Sequence, residues 1–203
     1  MVRILITRHG QTKQNVEGIV QGKDEGDINE KGFRQIKKLI NRLKSEKINK
    51  ILSSDVPRCK TTTIEILKEI KAHVEYSPLI REKDNGELVG KNHKEFSWDD
   101  LEGTFETRKA INGENLVEVR ERARQFFKIL LKKYGEDETI LVVSHGAFLK
   151  VFIGDLLGMS LYDSIFKLFI EHCSLTELDI RTKHKEGYRF NFINEKSYLN
   201  ETL

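Results

Sequence analysis

The sequence predicts an α/β fold, a single domain over residues 1–203 built as a three-layer sandwich: a mostly parallel central sheet with an antiparallel edge, and helices on both faces. Three observations carry this reading. Short apolar runs alternate with segments whose apolar residues recur at helical spacing. Two of the runs, Ile4-Leu5-Ile6-Thr7 and Thr139-Ile140-Leu141-Val142-Val143-Ser144, have the unbroken apolar character of strands covered on both faces. Two late β-rich runs, Leu175 to Ile180 and Tyr188 to Ile193, flank a Lys183–Gly187 turn and read as an antiparallel pair.

The first strand passes without a turn cluster into Arg8-His9-Gly10, where the glycine is expected to let the backbone bend away. Gln11 to Asn29 is polar and glycine-bearing and reads as a long functional loop. Phe33, Ile36, Leu39, Ile40 and Leu43 then give an amphipathic helix from about Glu30 to Lys44. Lys50 to Ser53 is the second strand. Ser54-Asp55-Val56-Pro57-Arg58 is a helix start, with Asp55 as cap, proline in the first turn, and Ile64 and Leu67 on the buried stripe.

A third strand follows at about Val74 to Ser77. Leu79 to Leu101 holds Glu82, Gly86 and Gly90, with a short helix expected around Lys94 to Trp98. Phe96 and Trp98 either cover a pocket or pack on the sheet, and packing is the preferred reading. Asn115 to Tyr134 is the clearest helix, apolar along Leu116, Val119, Ala123, Phe126, Phe127, Leu130 and Leu131, with Gly135 placed to close it. The apolar stretch Ala147 to Leu157 follows the fourth strand.

Composition narrows the function classes. The 203 residues carry 35 basic and 32 acidic side chains, so the net charge is only +3 and the charges read as a solvated surface laced with ion pairs. No basic stripe with interleaved aromatics occurs, so nucleic acid is not expected as a partner. Cys59 and Cys173 lie far apart, with neither metal-ligand spacing nor a disulfide framework; both read as small core residues. No run reaches transmembrane length and no signal-type segment opens the chain, so the expected location is the cytoplasm, with no membrane partner. A homodimer is left open.

In an open α/β sheet, ligands bind just beyond the carboxyl ends of strands. Arg8, His9, Arg58 and His145 all fall there or at the next helix start. Two guanidinium forks, two imidazoles and the helix amino termini after Asp55 and Gly146 suit a tetrahedral dianion. A neutral imidazole can also attack phosphorus.

Thr7-Arg8-His9-Gly10-Gln11-Thr12, Asn15, Gln21-Gly22, Ser53-Ser54 with Arg58, Glu82, Gly113-Glu114-Asn115-Leu116, Ser144-His145-Gly146 and Asn194 resemble the histidine phosphatase superfamily, the branch that includes cofactor-dependent phosphoglycerate mutases. The resemblance runs along nearly the whole chain. It implies His9 as the phosphorylated nucleophile, with Arg8, Arg58 and His145 holding the phosphate. It implies Glu82 as general acid and then base, with Glu87 the alternative. Gly10, Thr12, Asn15, Gln21, Gly22, Gly146 and Ala147 would line the phosphate site. Neither metal nor cofactor is implied, because cationic side chains take the metal's place. His73, His93, His172 and His184 are given no catalytic part, and a place for His93 on the substrate side is the less favoured reading.

Three functions stay open: a phosphatase acting on a small phosphorylated metabolite, a bisphosphoglycerate-dependent mutase, and a non-catalytic phospholigand-binding module. The chain departs from the mutases it resembles. Their longer insertion with paired arginines is missing, and Arg108 stands alone. Glu82-Lys83-Asp84-Asn85-Gly86 stands where mutases read Glu-Arg-His-Tyr-Gly, and Ala147 where they carry asparagine. The phosphatase is therefore preferred. Arg81, Lys83 and Lys91 would favour a multiply charged substrate.

Overall fold

The structure, a computed structural model, describes residues 1–24, 26–135, 137–180 and 187–200. In chain order these form β1 (Val2–Arg8), α1 (Lys13–Glu17), α2 (Glu30–Leu43), β2 (Lys50–Ser54), α3 (Pro57–Leu67), β3 (His73–Ser77), α4 (Leu116–Lys133), β4 (Thr139–Ser144), α5 (Gly146–Leu156), α6 (Leu161–Lys167), β5 (Leu175–Ile180) and β6 (Tyr188–Glu195). The result is a single α/β domain around one six-stranded sheet in the order β3-β2-β4-β1-β5-β6.

The period-two alternation of strands creates the layers. Ile4 and Ile6 of β1, Leu52 of β2, and Ile140 and Val142 of β4 face one apolar cluster, completed by α4 and α5. Leu5, Ile51, Leu141 and Val143 face the other, completed by α2 and α3. The sheet is thus covered on both sides, and the four strands β3, β2, β4 and β1 run parallel. β5 pairs antiparallel with β1 and β6 antiparallel with β5, giving the expected antiparallel edge.

Topology positions the site. The chain runs β1, β2, β3 in one direction across the sheet, then reverses so that β4 inserts between β1 and β2. Helices before and after the reversal cover opposite faces, and such a switch point is where α/β sheets open a crevice.

Several local expectations need correction. The Gln11–Asn29 segment is not loop throughout: Thr12 caps the short helix α1. α3 is capped by Val56 without a side-chain bond, because Asp55 is occupied by Arg81. Its buried stripe is Arg58, Cys59, Thr62, Thr63 and Ile66, whereas Ile64 is 52% exposed. Phe33 of α2 is also exposed.

The helix expected at Lys94 to Trp98 is a single 3-10 turn at Trp98–Asp100. α4 ends on Tyr134 in extended conformation, so Gly135 does not close it. The apolar stretch after β4 is α5, and α6 follows unannounced by any strong sequence signal. Of the Lys183–Gly187 turn only Gly187 lies among the described residues, with φ of 72°. Among the described residues no helix is long and apolar enough to cross a membrane.

Candidate active site

Register brings the histidines together. Arg8 of β1 is paired with Ser144 of β4, so the next residues, His9 and His145, leave adjacent strand ends. Their rings lie 5.3 Å apart, edge to face, and both are buried. β2 flanks β4 on its other side, and Arg58 enters from the first turn of α3.

Each ring is held. His9 Nδ1 lies 2.8 Å from the Gly10 carbonyl oxygen. A carbonyl only accepts, so this nitrogen carries the proton and Nε2 keeps its lone pair. Burial is the main cause that pushes the His9 pKa well below the ordinary imidazole value; Arg58, His145, Arg8 and His172 push the same way. His145 is depressed likewise, by burial and then by Arg58 and Arg8. Its Nε2 lies 2.8 Å from Ser54 Oγ and 3.4 Å from Cys59 Sγ.

Two guanidinium groups stand beside the rings, that of Arg58 buried and that of Arg8 half-buried. Arg8 donates from Nη1 to the Ile170 carbonyl at 3.1 Å, while its Nε is buried with no hydrogen-bond partner among the described residues. A buried donor without an acceptor is costly and marks where an anion would be welcome. Arg58 donates to the Gly22 carbonyl at 2.9 Å.

Two glycines make this packing feasible. A Cβ on Gly146 would come within 3.1 Å of Arg8 Cζ. One on Gly10 would meet the Ile36 side chain at 2.9 Å, so Gly10 serves the close approach of α2 rather than a bend.

Glu82 faces this cluster from the segment after β3. Its Oε2 accepts from Ala147 N at 3.1 Å and its Oε1 from Phe148 N at 2.9 Å and Lys83 N at 3.0 Å. The carboxyl group thus caps the amino terminus of α5. The segment itself is clamped by Arg122 of α4. That guanidinium donates to the carbonyls of Leu79 at 2.7 Å, Arg81 at 3.1 Å and Glu82 at 3.3 Å. It also grips Glu114 through two bonds of 2.8 Å.

A cavity of about 580 Å³ opens over the cluster. Arg8, His9, Asn15, Gln21, Arg58, Glu82 and Ala147 line it, whereas Gly10, Thr12, Gly22, His145 and Gly146 do not. Thr12 lies 2.9 Å from both Asn15 Oδ1 and Gln21 Oε1 and so braces two lining residues. Glu87 is exposed and does not line the cavity. His93 and Trp98 do, and Phe96 and Trp98 pack against Val20, Leu88 and Ala110, outside the strands, rather than on the sheet as preferred from the sequence.

Sequence reasoning missed three supports. His172 is buried, lies 5.2 Å from the His9 ring, and donates from Nδ1 to the His9 carbonyl at 3.0 Å. Burial, with Arg8 beside it, pulls its pKa down to about 3. The loop that carries it is fixed by Asn194, whose Oδ1 accepts from Glu171 N at 2.8 Å. Arg122 and the His145 neighbour Cys59 are the others. No local pattern announces them, because each meets its partner across a long stretch of chain, 163 residues for His172, 40 to 43 for Arg122 and 86 for Cys59.

Comparison with known proteins agrees with this geometry. The family model described as the histidine phosphatase superfamily (branch 1) matches residues 4–193. A protein of Proteus mirabilis named probable phosphoglycerate mutase GpmB is 31% identical over 187 residues, covering 88% of this chain and 85% of that one. A probable phosphatase of Schizosaccharomyces pombe is 30% identical over 208 residues, covering 94% and 92%.

Among solved structures, Bacillus stearothermophilus YhfR superposes with a TM-score of 0.88 at 23% identity, covering 98% of this chain and all of that one. A putative α-ribazole-5′-P phosphatase from Escherichia coli gives 0.84 at 21%, covering 97% and 98%. The last two likenesses speak for the fold. With the family model spanning nearly the whole chain, this protein belongs to branch 1 of the histidine phosphatase superfamily.

Proposed function

We propose that the protein is a phosphatase that hydrolyses a small phosphomonoester through a phosphohistidine on His9. The observation that supports this most is the fixed tautomer of a neutral His9. Its Nδ1 proton is committed to the Gly10 carbonyl, so Nε2 is ready to attack without a base to activate it.

In this reading Nε2 forms a bond to phosphorus as the ester P–O bond breaks. Arg8 and Arg58, with His145 oriented by Ser54, hold the phosphoryl oxygens as charge spreads over them. Asn15 and Gln21, which line the cavity beside them, complete the phosphate site, while the α5 amino terminus is taken by Glu82. Glu82 gives its proton to the leaving oxygen. It then takes one from a water, whose oxygen attacks phosphorus while the N–P bond breaks and inorganic phosphate leaves.

Hydrolysis is favoured over return of the phosphoryl group to substrate because, among the described residues, the outer cavity offers no pair of arginines. Arg108 lines it singly and is ion-paired with Asp99. The substrate is a phosphorylated metabolite in the cell interior, and the reaction calls on no cofactor.

Turnover of a phosphorus-labelled ester, quenched in alkali to preserve the N–P bond, should leave label on His9. His9→Ala should abolish both label and phosphate release. Label on another side chain, or near-normal release by His9→Ala, would overturn the reading. Release that depends on bisphosphoglycerate would point to the mutase, and tight phosphate binding without turnover to a binding module.

A further inference from the structure

The part of the cavity beyond the phosphoryl group has a chemistry of its own. Its wall is formed by Val20, Trp98, Phe105, Leu116, Ile165 and Phe166. Phe105 and Phe166 lie 5.4 Å apart, and Tyr162 joins them at 5.2 Å and 4.7 Å. This cluster is not core: Tyr162 is 55% and Phe166 62% exposed. A seven-residue helix that turns such rings toward an opening leaves apolar surface in water, and surface of that kind marks a binding site. The cavity volume falls within the range that encloses a drug-sized organic molecule.

The cations near this wall are already engaged. Arg81 grips Asp55, with Nε donating to Oδ1 at 2.6 Å and Nη2 to the other oxygen. Arg108 is paired with Asp99 and lies over the Phe105 ring. Lys91 is exposed and outside the cavity. Lys83 lines the cavity without a carboxylate ion pair among the described residues; its Nζ donates to Asn85 Oδ1 at 3.1 Å and sits 4.7 Å from the centre of the Trp98 ring. A substrate with several further anionic groups would have to break these pairs to be recognised, since the other polar side chains on this part of the lining, Asn85, His93 and Ser97, carry no fixed positive charge. An apolar body would leave them intact and cover exposed rings.

We infer that the substrate is a phosphomonoester whose alcohol half is an apolar or aromatic body, bearing at most one further negative charge, which would lie beside Lys83. The inference rests on the phosphatase reading for turnover, but the binding preference is measurable without it. Trp98, Phe105 and Phe166 are then the specificity-determining side chains.

The test compares primary alkyl phosphates, whose leaving oxygens have similar basicity: propyl phosphate, 3-phenylpropyl phosphate, glycerol 1-phosphate and 3-phosphoglycerate. 3-Phenylpropyl phosphate should exceed propyl phosphate in kcat/KM by at least about tenfold, the scale that apolar pocket contacts supply. Phe166→Ala and Trp98→Ala should each shrink that ratio. Calorimetry with the non-hydrolysable phosphonates should show the same order of affinity. Equal or better handling of the glycerol and glycerate esters, or no affinity difference between phenylpropyl- and propylphosphonate, would overturn the substrate class. Absence of turnover with the affinity difference intact would instead sink the phosphatase reading and leave the ligand class standing.

Discussion

The floor of the cavity is built from strand ends, and its outer wall from a loop segment and a short helix. On the floor, Arg8, His9 and His145 are each one step from a residue locked in a parallel ladder, and Arg58 is one residue into a helix. Their positions follow from register. On the wall, Trp98 and Phe105 come from a stretch whose only regular structure is one 3-10 turn, and Phe166 from seven helical residues. Their positions follow from mutual packing of side chains. The contrast separates two jobs. Chemistry needs groups held to a fraction of an ångström by rigid elements, whereas discrimination tolerates a wall that can be rebuilt.

The contrast can be broken first at Glu82. If the floor carries the chemistry, Glu82→Gln should lower kcat by about 10²- to 10⁴-fold, the usual range for a lost general acid or base. Inorganic phosphate should still bind, measured by calorimetry. A loss confined to KM would place Glu82 on the recognition side.

Legibility in the sequence divides along the same line. Strand ends are readable because apolar runs have a period and a length, so an Arg-His-Gly after one run and a His-Gly after another can be assigned to one sheet edge. Ser144-His145-Gly146 and Thr7-Arg8-His9 show this directly. Arg122 could not be read that way. It lies on the helix Leu116–Lys133, which the periodicity does identify, yet its bonds reach carbonyls 40 to 43 residues away. His172 was passed over for the same reason: its ring meets His9 across 163 residues of chain. Ile64, taken for core by spacing, is exposed because α3 instead turns Thr62, Thr63 and Ile66 inward. The wall residues Phe105, Ile165 and Phe166 belong to no pattern of period two or 3.6 that would set them apart from surface.

Arg122 sharpens the comparison, since it is a positioning residue that holds the backbone of Leu79, Arg81 and Glu82 and lies over the Phe148 ring at 5.4 Å. Its loss should blur the placement of Glu82 while leaving the arginines and histidines in place. Protonation of the leaving oxygen matters most when that oxygen is basic. Arg122→Ala should therefore slow alkyl phosphates by about 10- to 100-fold, toward the lower end of the general-acid range, and p-nitrophenyl phosphate much less. Arg122→Lys should recover part of the loss. Equal slowing of both ester classes would mean that the clamp matters only for the fold.

The smallest expected effect concerns how the floor is kept neutral. Burial holds His9, His145 and His172 below the ordinary imidazole pKa, with His172 at about 3. The unfolded chain binds protons near pH 6.5 that the folded chain refuses. Stability from these groups is therefore complete above pH 6.5 and is lost as pH falls from there toward the folded values. Each contributes a slope of about 1.4 kcal/mol per pH unit across that window. His172→Asn removes one such group and keeps a side-chain donor for the His9 carbonyl. Whatever the variant costs at pH 7, its urea-derived stability should fall between pH 6 and 4.5 less steeply than the parent's, by about that amount. The wall offers a control, because Phe166→Ala changes no buried titratable group and should leave the slope unaltered. If His172→Asn also left it unaltered, the third imidazole would be charged in the fold, and the floor would be held by ion pairing rather than by exclusion of protons.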